Sequence, residues 1–161
     1  YSAFINRSEN ESAEHFKLKA FVYHYLVKSR FNGRLEDAMD KIQTEQQVCS
    51  GARADVVIGG EVYEVETLFG EGAFSFKKVQ ESIMKYRGCG DVSEVHVVLE
   101  PLTTIMHLNE LWNIMEYINT RRKKDQTFMQ SIKVSIETID VDNEELIPLN
   151  DFVKRLGAAL P

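Results

Sequence analysis

Apolar residues recur along this chain at two spacings, every third or fourth position in some stretches and every second in others. Ala13, Phe16, Ala20, Tyr23 and Val27 follow the first spacing and predict an amphipathic helix. Ser8 with Glu11 three residues on has the spacing of a capping box, which starts the helix there, and Asn32-Gly33 ends it just after Phe31. Residues 41 to 49 are mostly polar, with Ile42 and Val48 as their apolar positions, and read as a first strand. Residues 54 to 58 and 62 to 67 read as two further strands joined by Gly59-Gly60. The glycine-containing stretch LFGEGAF then leads into a second helix, with Phe76, Val79, Ile83 and Tyr86 on its buried face and Gly88 and Gly90 stopping it. Residues 94 to 99, EVHVVL, are almost continuously apolar, as in a strand buried on both faces. Leu108, Leu111, Met115 and Ile118 mark a third helix, Ile132, Val134 and Ile136 a further strand, and Phe152, Val153 and Leu156 a short closing helix. The order is α-β-β-β-α-β-α-β-α, one mixed α/β domain spanning residues 1 to 161.

The hairpin around Gly59-Gly60 is the most informative part of this pattern. A two-residue turn there sets Ile58 opposite Glu61, Val57 opposite Val62, Asp55 opposite Glu64 and Arg53 opposite Glu66. Side chains alternate, so Arg53, Asp55, Val57, Val62, Glu64 and Glu66 share one face, while Ala54, Val56, Ile58, Tyr63 and Val65 share the other. Directly opposed like charges are destabilising. Asp55 against Glu64 therefore calls for compensation, and a divalent cation held between the two carboxylates would supply it. The plainer reading is a wet face on which Arg53 pairs with Glu66 and water tolerates the other two acids. Val57 and Val62 on that face weigh against it, as do Lys78, Ser82 and Lys85, which lie together on one side of the next helix.

Composition narrows the field. The chain carries 25 acids against 19 bases, a net charge of −6, which weighs against a protein that coats nucleic acid but leaves local grip open. Its dense basic run, Arg121 to Lys124, reads as a solvated helix end favoured by the helix dipole. No apolar run reaches the roughly 18 residues of a membrane span, so no membrane partner is expected. The two cysteines, Cys49 and Cys89, lack metal-ligand spacing and are too few for a disulfide framework, which points to a reducing, cytoplasmic setting. The first residue is Tyr1, and the chain reads as a fragment of a longer protein with further domains.

ADVVI, a glycine turn and YEVET together resemble the PD-(D/E)XK nuclease superfamily, whose restriction endonuclease-like core is a mixed central sheet flanked by helices. The resemblance covers roughly residues 8 to 100. It implies a nuclease, most naturally a DNA endonuclease, that gathers Mg²⁺ around a scissile phosphate, with Mn²⁺ able to substitute. By the same resemblance Asp55 matches the family Asp, Glu64 the Glu of Glu-X-Lys, and Glu14 the acid of the first helix, with the Val65 carbonyl as a further metal ligand. The third motif position departs, since Glu66 stands where the family usually has lysine. Some restriction enzymes resemble this Glu-X-Glu arrangement, and in others the lysine has moved to the following helix, a role that falls here to Lys78 or, second, to Lys85. Glu66 would complete the metal shell or take a proton from the attacking water. Arg53 and Lys85 are candidates for holding phosphate. Many enzymes of this fold act as homodimers, and RNA remains open as a substrate beside DNA. The same departure keeps open a catalytically inactive relative that binds nucleic acid or assembles with other proteins.

Other residues carry plainer readings. His15 and Lys19 read as a surface pair one turn apart, Lys77 and Glu81 as an i, i+4 ion pair, and His96 as a hydrogen-bonded core histidine. His24 and His107 lack zinc spacing, Trp112 belongs with the apolar face of its helix, and Gly70 and Gly72 do not form a Walker-type loop. Glu45 fits either the acid cluster or solvent.

Overall fold

A computed structural model describes residues 2–68, 75–125, 127, 129 and 131–157. After a short 3-10 helix at Ser2–Phe4, the elements in chain order are α1 (Ala13–Phe31), α2 (Leu35–Ala38), β1 (Ile42–Cys49), β2 (Ala52–Ile58), β3 (Glu61–Glu66), α3 (Ser75–Met84), β4 (Glu94–Leu99), α4 (Pro101–Met106), α5 (Leu108–Lys124), β5 (Lys133–Asp140), β6 (Glu145–Pro148) and α6 (Leu149–Leu156). Every element expected from the spacing is present. The short helices α2 and α4 and the edge strand β6 are additions, too brief for periodicity to reveal. The stretch containing Gly70 and Gly72 lies outside the described residues.

The strands form one six-stranded mixed sheet in the order β1-β2-β3-β4-β5-β6. β1, β2 and β3 are antiparallel neighbours, β4 runs parallel to β3 and β5 parallel to β4, and β6 closes the far edge antiparallel to β5. Parallel neighbours need crossovers, which α3 and the α4–α5 pair provide. Helices cover both faces. Val79, Ile83, Leu111, Ile114 and Ile118 of α3 and α5 pack with Val62, Val95, Val97 and Leu99 on one side. On the other, Leu18, Val22, Tyr23, Leu26 and Val27 of α1 pack with Val56, Tyr63, Val65 and Val98. β4 is thus apolar toward both layers, as its composition indicates.

α1 differs from expectation at its start and in its buried face. Its cap is Ser12, whose hydroxyl accepts the His15 amide at 3.1 Å, while Ser8 only closes a turn through its carbonyl to the Glu11 amide. The buried face turns accordingly, from Ala13 and Phe16 toward Leu18, Val22 and Leu26. The helix ends as foreseen, with Asn32 left-handed at φ 52° and the Gly33 amide returning to the Val27 carbonyl. Cys49 and Cys89, expected to be too few for a disulfide framework, form a single disulfide across a Cα separation of 5.9 Å.

Candidate active site

The turn at Gly59-Gly60 sets the predicted register, with Ile58 opposite Glu61, Val57 opposite Val62 and Val56 opposite Tyr63. The β2–β3 ladder ends there. β3 continues in parallel with β4 as far as Glu66 opposite Leu99, whereas β2 stays with β1 to the pair Cys49 and Ala52. The strands therefore part, and the expected opposed pairs Asp55–Glu64 and Arg53–Glu66 do not form. Between the pairs Thr44–Val56 and Gln46–Ala54 lies Glu45, in the left-handed region at φ 55°. The alternation changes phase across this point: Ala54 joins Val57 in the layer under α3, while Val56 faces α1. Asp55 sits at the change of phase, and its Oδ2 accepts the Val65 amide at 2.8 Å in place of a strand partner.

The two β3 acids point toward α3, and the polar side of that region meets them. Lys85 Nζ lies 2.7 Å from Glu64 Oε2, and the Tyr86 hydroxyl donates to the other oxygen of the same carboxylate. Ser82 donates to Glu66 Oε1, and Lys78 Nζ lies 3.5 Å from Glu66 Oε2. The grouping of Lys78, Ser82 and Lys85 foreseen from helical spacing is thus present, with each cation beside its own acid. Burial and then the charge of Asp55 push the Glu64 carboxyl up to about 8, against the pull of Lys85 and Tyr86. Burial also raises Glu66, which Ser82 and Lys78 oppose.

α1 supplies a second set of groups. His15 is not a surface partner of Lys19. Its Nδ1 lies 2.7 Å from Glu11 Oε1 and its Nε2 lies 3.4 Å from Asp55 Oδ2. Burial would lower the imidazole, but Asp55 and then Glu11 raise it to about 9, so it is a cation at neutral pH. Burial would raise Asp55, yet His15, the Val65 amide and Lys85 hold it below the ordinary carboxylate range. Lys19 is fully buried, 2.6 Å from Glu11 Oε1 and 2.7 Å from Glu45 Oε1. Arg53 Nε bonds to the Glu45 carbonyl at 2.9 Å and lies 3.2 Å from its carboxylate, so Glu45 takes the place expected of Glu66. Glu14 is exposed and is not among the described groups that reach Asp55 or Glu64, because the cap at Ser12 turns His15 inward instead. Val65 is buried, with its amide committed to Asp55.

A cleft of about 310 Å³ opens beside these groups, lined by Ser8, Asn10, Glu11, Ser12, His15, Thr67 and Lys78. Among the described residues, no three His, Cys, Asp or Glu side chains converge as a ready metal site. Sequence reasoning missed Glu11, His15, Lys19 and Tyr86. The four-residue spacing of Glu11, His15 and Lys19 was the available signal, while Tyr86 was masked by its place on an apolar stripe.

The lesser candidates mostly keep their plain roles. His96 bonds through Nδ1 to Glu137 at 3.0 Å and stacks on Tyr63, and Lys77 lies 3.5 Å from Glu81. Trp112 packs against the apolar layer, and Arg121 to Lys124 form the last turn of α5. Among the described residues, no helix is long and apolar enough to cross a membrane. Comparison with protein-family models, curated proteins and solved structures finds no match to this chain.

Proposed function

We propose that this protein is a metal-dependent nuclease of the restriction endonuclease-like class, hydrolysing phosphodiester bonds in DNA. The observation that carries the reading is the meeting of Asp55, Glu64 and Glu66 with Lys85 and Lys78 where β2 and β3 part. The order of α1, a three-stranded meander, α3 and a parallel β4 agrees with the core that the motif implies.

The residues suit a hard divalent cation. Asp55, Glu64 and the Val65 carbonyl are oxygen donors, and Mg²⁺ takes one or two carboxylates and fills the rest of its shell with water and phosphate oxygens. Burial and then the charge of Asp55 disfavour an ionised Glu64, and a cation held between the two carboxylates would favour it. A bound Mg²⁺ or Mn²⁺ supplies Lewis-acid stabilisation and a lowered pKa for bound water. The protein's own groups do the rest. His15 keeps Asp55 ionised, while Lys85 and Tyr86 fix the orientation of Glu64. Lys78 carries positive charge to the cleft wall, where a phosphate would be stabilised. Glu66, held by Ser82, is placed to accept a proton from water.

One observation favours a second reading, an inactive nuclease-like domain that binds nucleic acid or assembles with other proteins. Each acid already has an internal partner: Glu64 has Lys85, Glu66 has Lys78, and Asp55 has His15. The test is cleavage of labelled duplex, single-stranded and four-way-junction DNA, and of RNA, with Mg²⁺, Mn²⁺ or chelator. Metal-dependent cleavage abolished by Asp55→Ala is the expected result. Cleavage unchanged in Asp55→Ala would overturn the assignment, and binding that survives chelation without cleavage would establish the second reading.

A further inference from the structure

The far half of the β1–β2 hairpin has an unusual position in the fold. The β2–β3 ladder stops at Val56 opposite Tyr63, whereas β1 and β2 continue together to Cys49 and Ala52. β1 is also the edge of the sheet. Beyond Asp55 the hairpin is therefore a two-stranded overhang, and an isolated pair of strands is marginally stable in water.

What ties this overhang down is the turn after α3. Lys85 Nζ and the Tyr86 hydroxyl reach the Arg53 carbonyl at 2.7 Å and 3.4 Å. The same two side chains hold the Glu64 carboxylate. Three residues past Tyr86, Cys89 is bonded to Cys49 at the tip of β1. The bond spans a sequence separation of 40, and the ring it closes contains Arg53, Asp55, Glu64, Glu66, Lys78 and Lys85.

We propose that Cys49 and Cys89 are a reversible redox modification site, whose disulfide holds Lys85 and Tyr86 on Glu64 and whose reduction releases them. Its effect on catalysis rests on the proposed function, but the modification and the release do not. Cys49 is half-buried and Cys89 buried, so a small-molecule dithiol attacks the Cys49 sulfur as its thiolate. The S–S bond breaks, Cys89 departs as a thiolate and takes a proton, and the reductant's second thiol resolves the mixed disulfide to free Cys49. Two electrons and two protons pass to the protein, and the reductant leaves as a cyclic disulfide. A small-molecule disulfide reverses the step. With the covalent tie gone, the overhang is held to the turn after α3 only by noncovalent contacts, the apolar packing of Ala52 and Ala54 and the bond of Lys85 to the Arg53 carbonyl, so the partly exposed Lys85 is the group freed to leave.

The test is amine acylation of the intact chain, oxidised or reduced under native conditions, with thiols counted in parallel and each lysine read by mass spectrometry. Exposed Lys133 is the internal reference, and fully buried Lys19 reports global unfolding. The expected result is no free thiol and slow Lys85 labelling in the oxidised protein. On reduction, two thiols appear and Lys85 labelling rises severalfold, reversibly, with Lys19 unchanged. Cys89→Ala should label Lys85 as the reduced protein does, in either condition. Free thiols that persist under a small-molecule disulfide, equal Lys85 labelling in both forms, or a parallel rise at Lys19 would each overturn the proposal. Cleavage measured on the same samples is a separate arm: its absence in both forms counts against the nuclease and leaves the labelling result decisive for the redox site.

Discussion

Lys19→Met tests whether the charges beneath the candidate site are a buried network or a surface pattern. The Lys19 side chain is wholly inaccessible, and its ammonium lies 2.6 Å from Glu11 and 2.7 Å from Glu45. Removing it leaves two carboxylates facing an apolar methionine. Glu11 Oε2 has no hydrogen-bond partner among the described residues even before the change. Glu45 cannot turn away easily, because its backbone is held left-handed at φ 55° and its carboxylate also meets Arg53. Breaking a buried ion pair by deleting one partner costs about 3–5 kcal/mol. At roughly 2–4 °C per kcal/mol for a chain of this size, the melting temperature falls by about 6–20 °C. Adding Glu45→Gln to Lys19→Met recovers part of the loss. Urea and thermal unfolding followed by circular dichroism at pH 7 measure all of this. A loss at pH 7 below about 1 kcal/mol, the scale of an exposed pair, refutes the buried-network argument.

Three further outcomes follow from the geometry. Glu64 has a folded pKa near 8, above its ordinary 4.5, so its contribution to stability is fully present below about 4.5 and is lost as pH rises through about 8. In chelator, unfolding free energies measured across that window should fall with pH, and Glu64→Gln should remove most of the slope below pH 6.5, leaving the His15 contribution, which is lost as pH rises through about 9; an unchanged slope would show that Glu64 is not the titrating group. Tyr86→Phe removes a hydroxyl from the buried Glu64 carboxyl and should destabilise by about 1–3 kcal/mol in urea titrations, while an effect near zero would mean that Lys85 alone satisfies it. At Gly60 an added Cβ would stand 2.8 Å from Ser93 Oγ and 3.2 Å from the Asp91 carbonyl, so Gly60→Ala should destabilise by about 1–3 kcal/mol, and wild-type stability would mean that the β4 approach yields freely.

Much of this protein could be read from local pattern. The Gly59-Gly60 turn set the hairpin register near the turn, because two-residue turns admit few geometries. The three-and-four spacing in α1, α3 and α5 located the helices, and the doubly apolar β4 was recognisable as a strand buried on both faces. Placing Lys78 and Ser82 on one side of α3, with Lys85 one residue past its end, needed only helical geometry, and all three meet the β3 acids.

Tertiary structure decided the rest. Alternation alone carries Asp55 to Glu64 and Arg53 to Glu66, but β3 leaves β2 to pair with β4, and the left-handed Glu45 shifts the phase of the hairpin. Asp55 consequently accepts the Val65 amide and sits beside His15, while Arg53 goes to Glu45. The four-residue spacing of Glu11, His15 and Lys19 does not say that Lys19 is buried, and a pair of cysteines 40 residues apart leaves no periodic trace. Periodicity records which side of an element faces the interior, whereas the partner of a charge or a thiol depends on which elements become neighbours, and only the packing of α1 and α3 onto opposite faces of one sheet settles that.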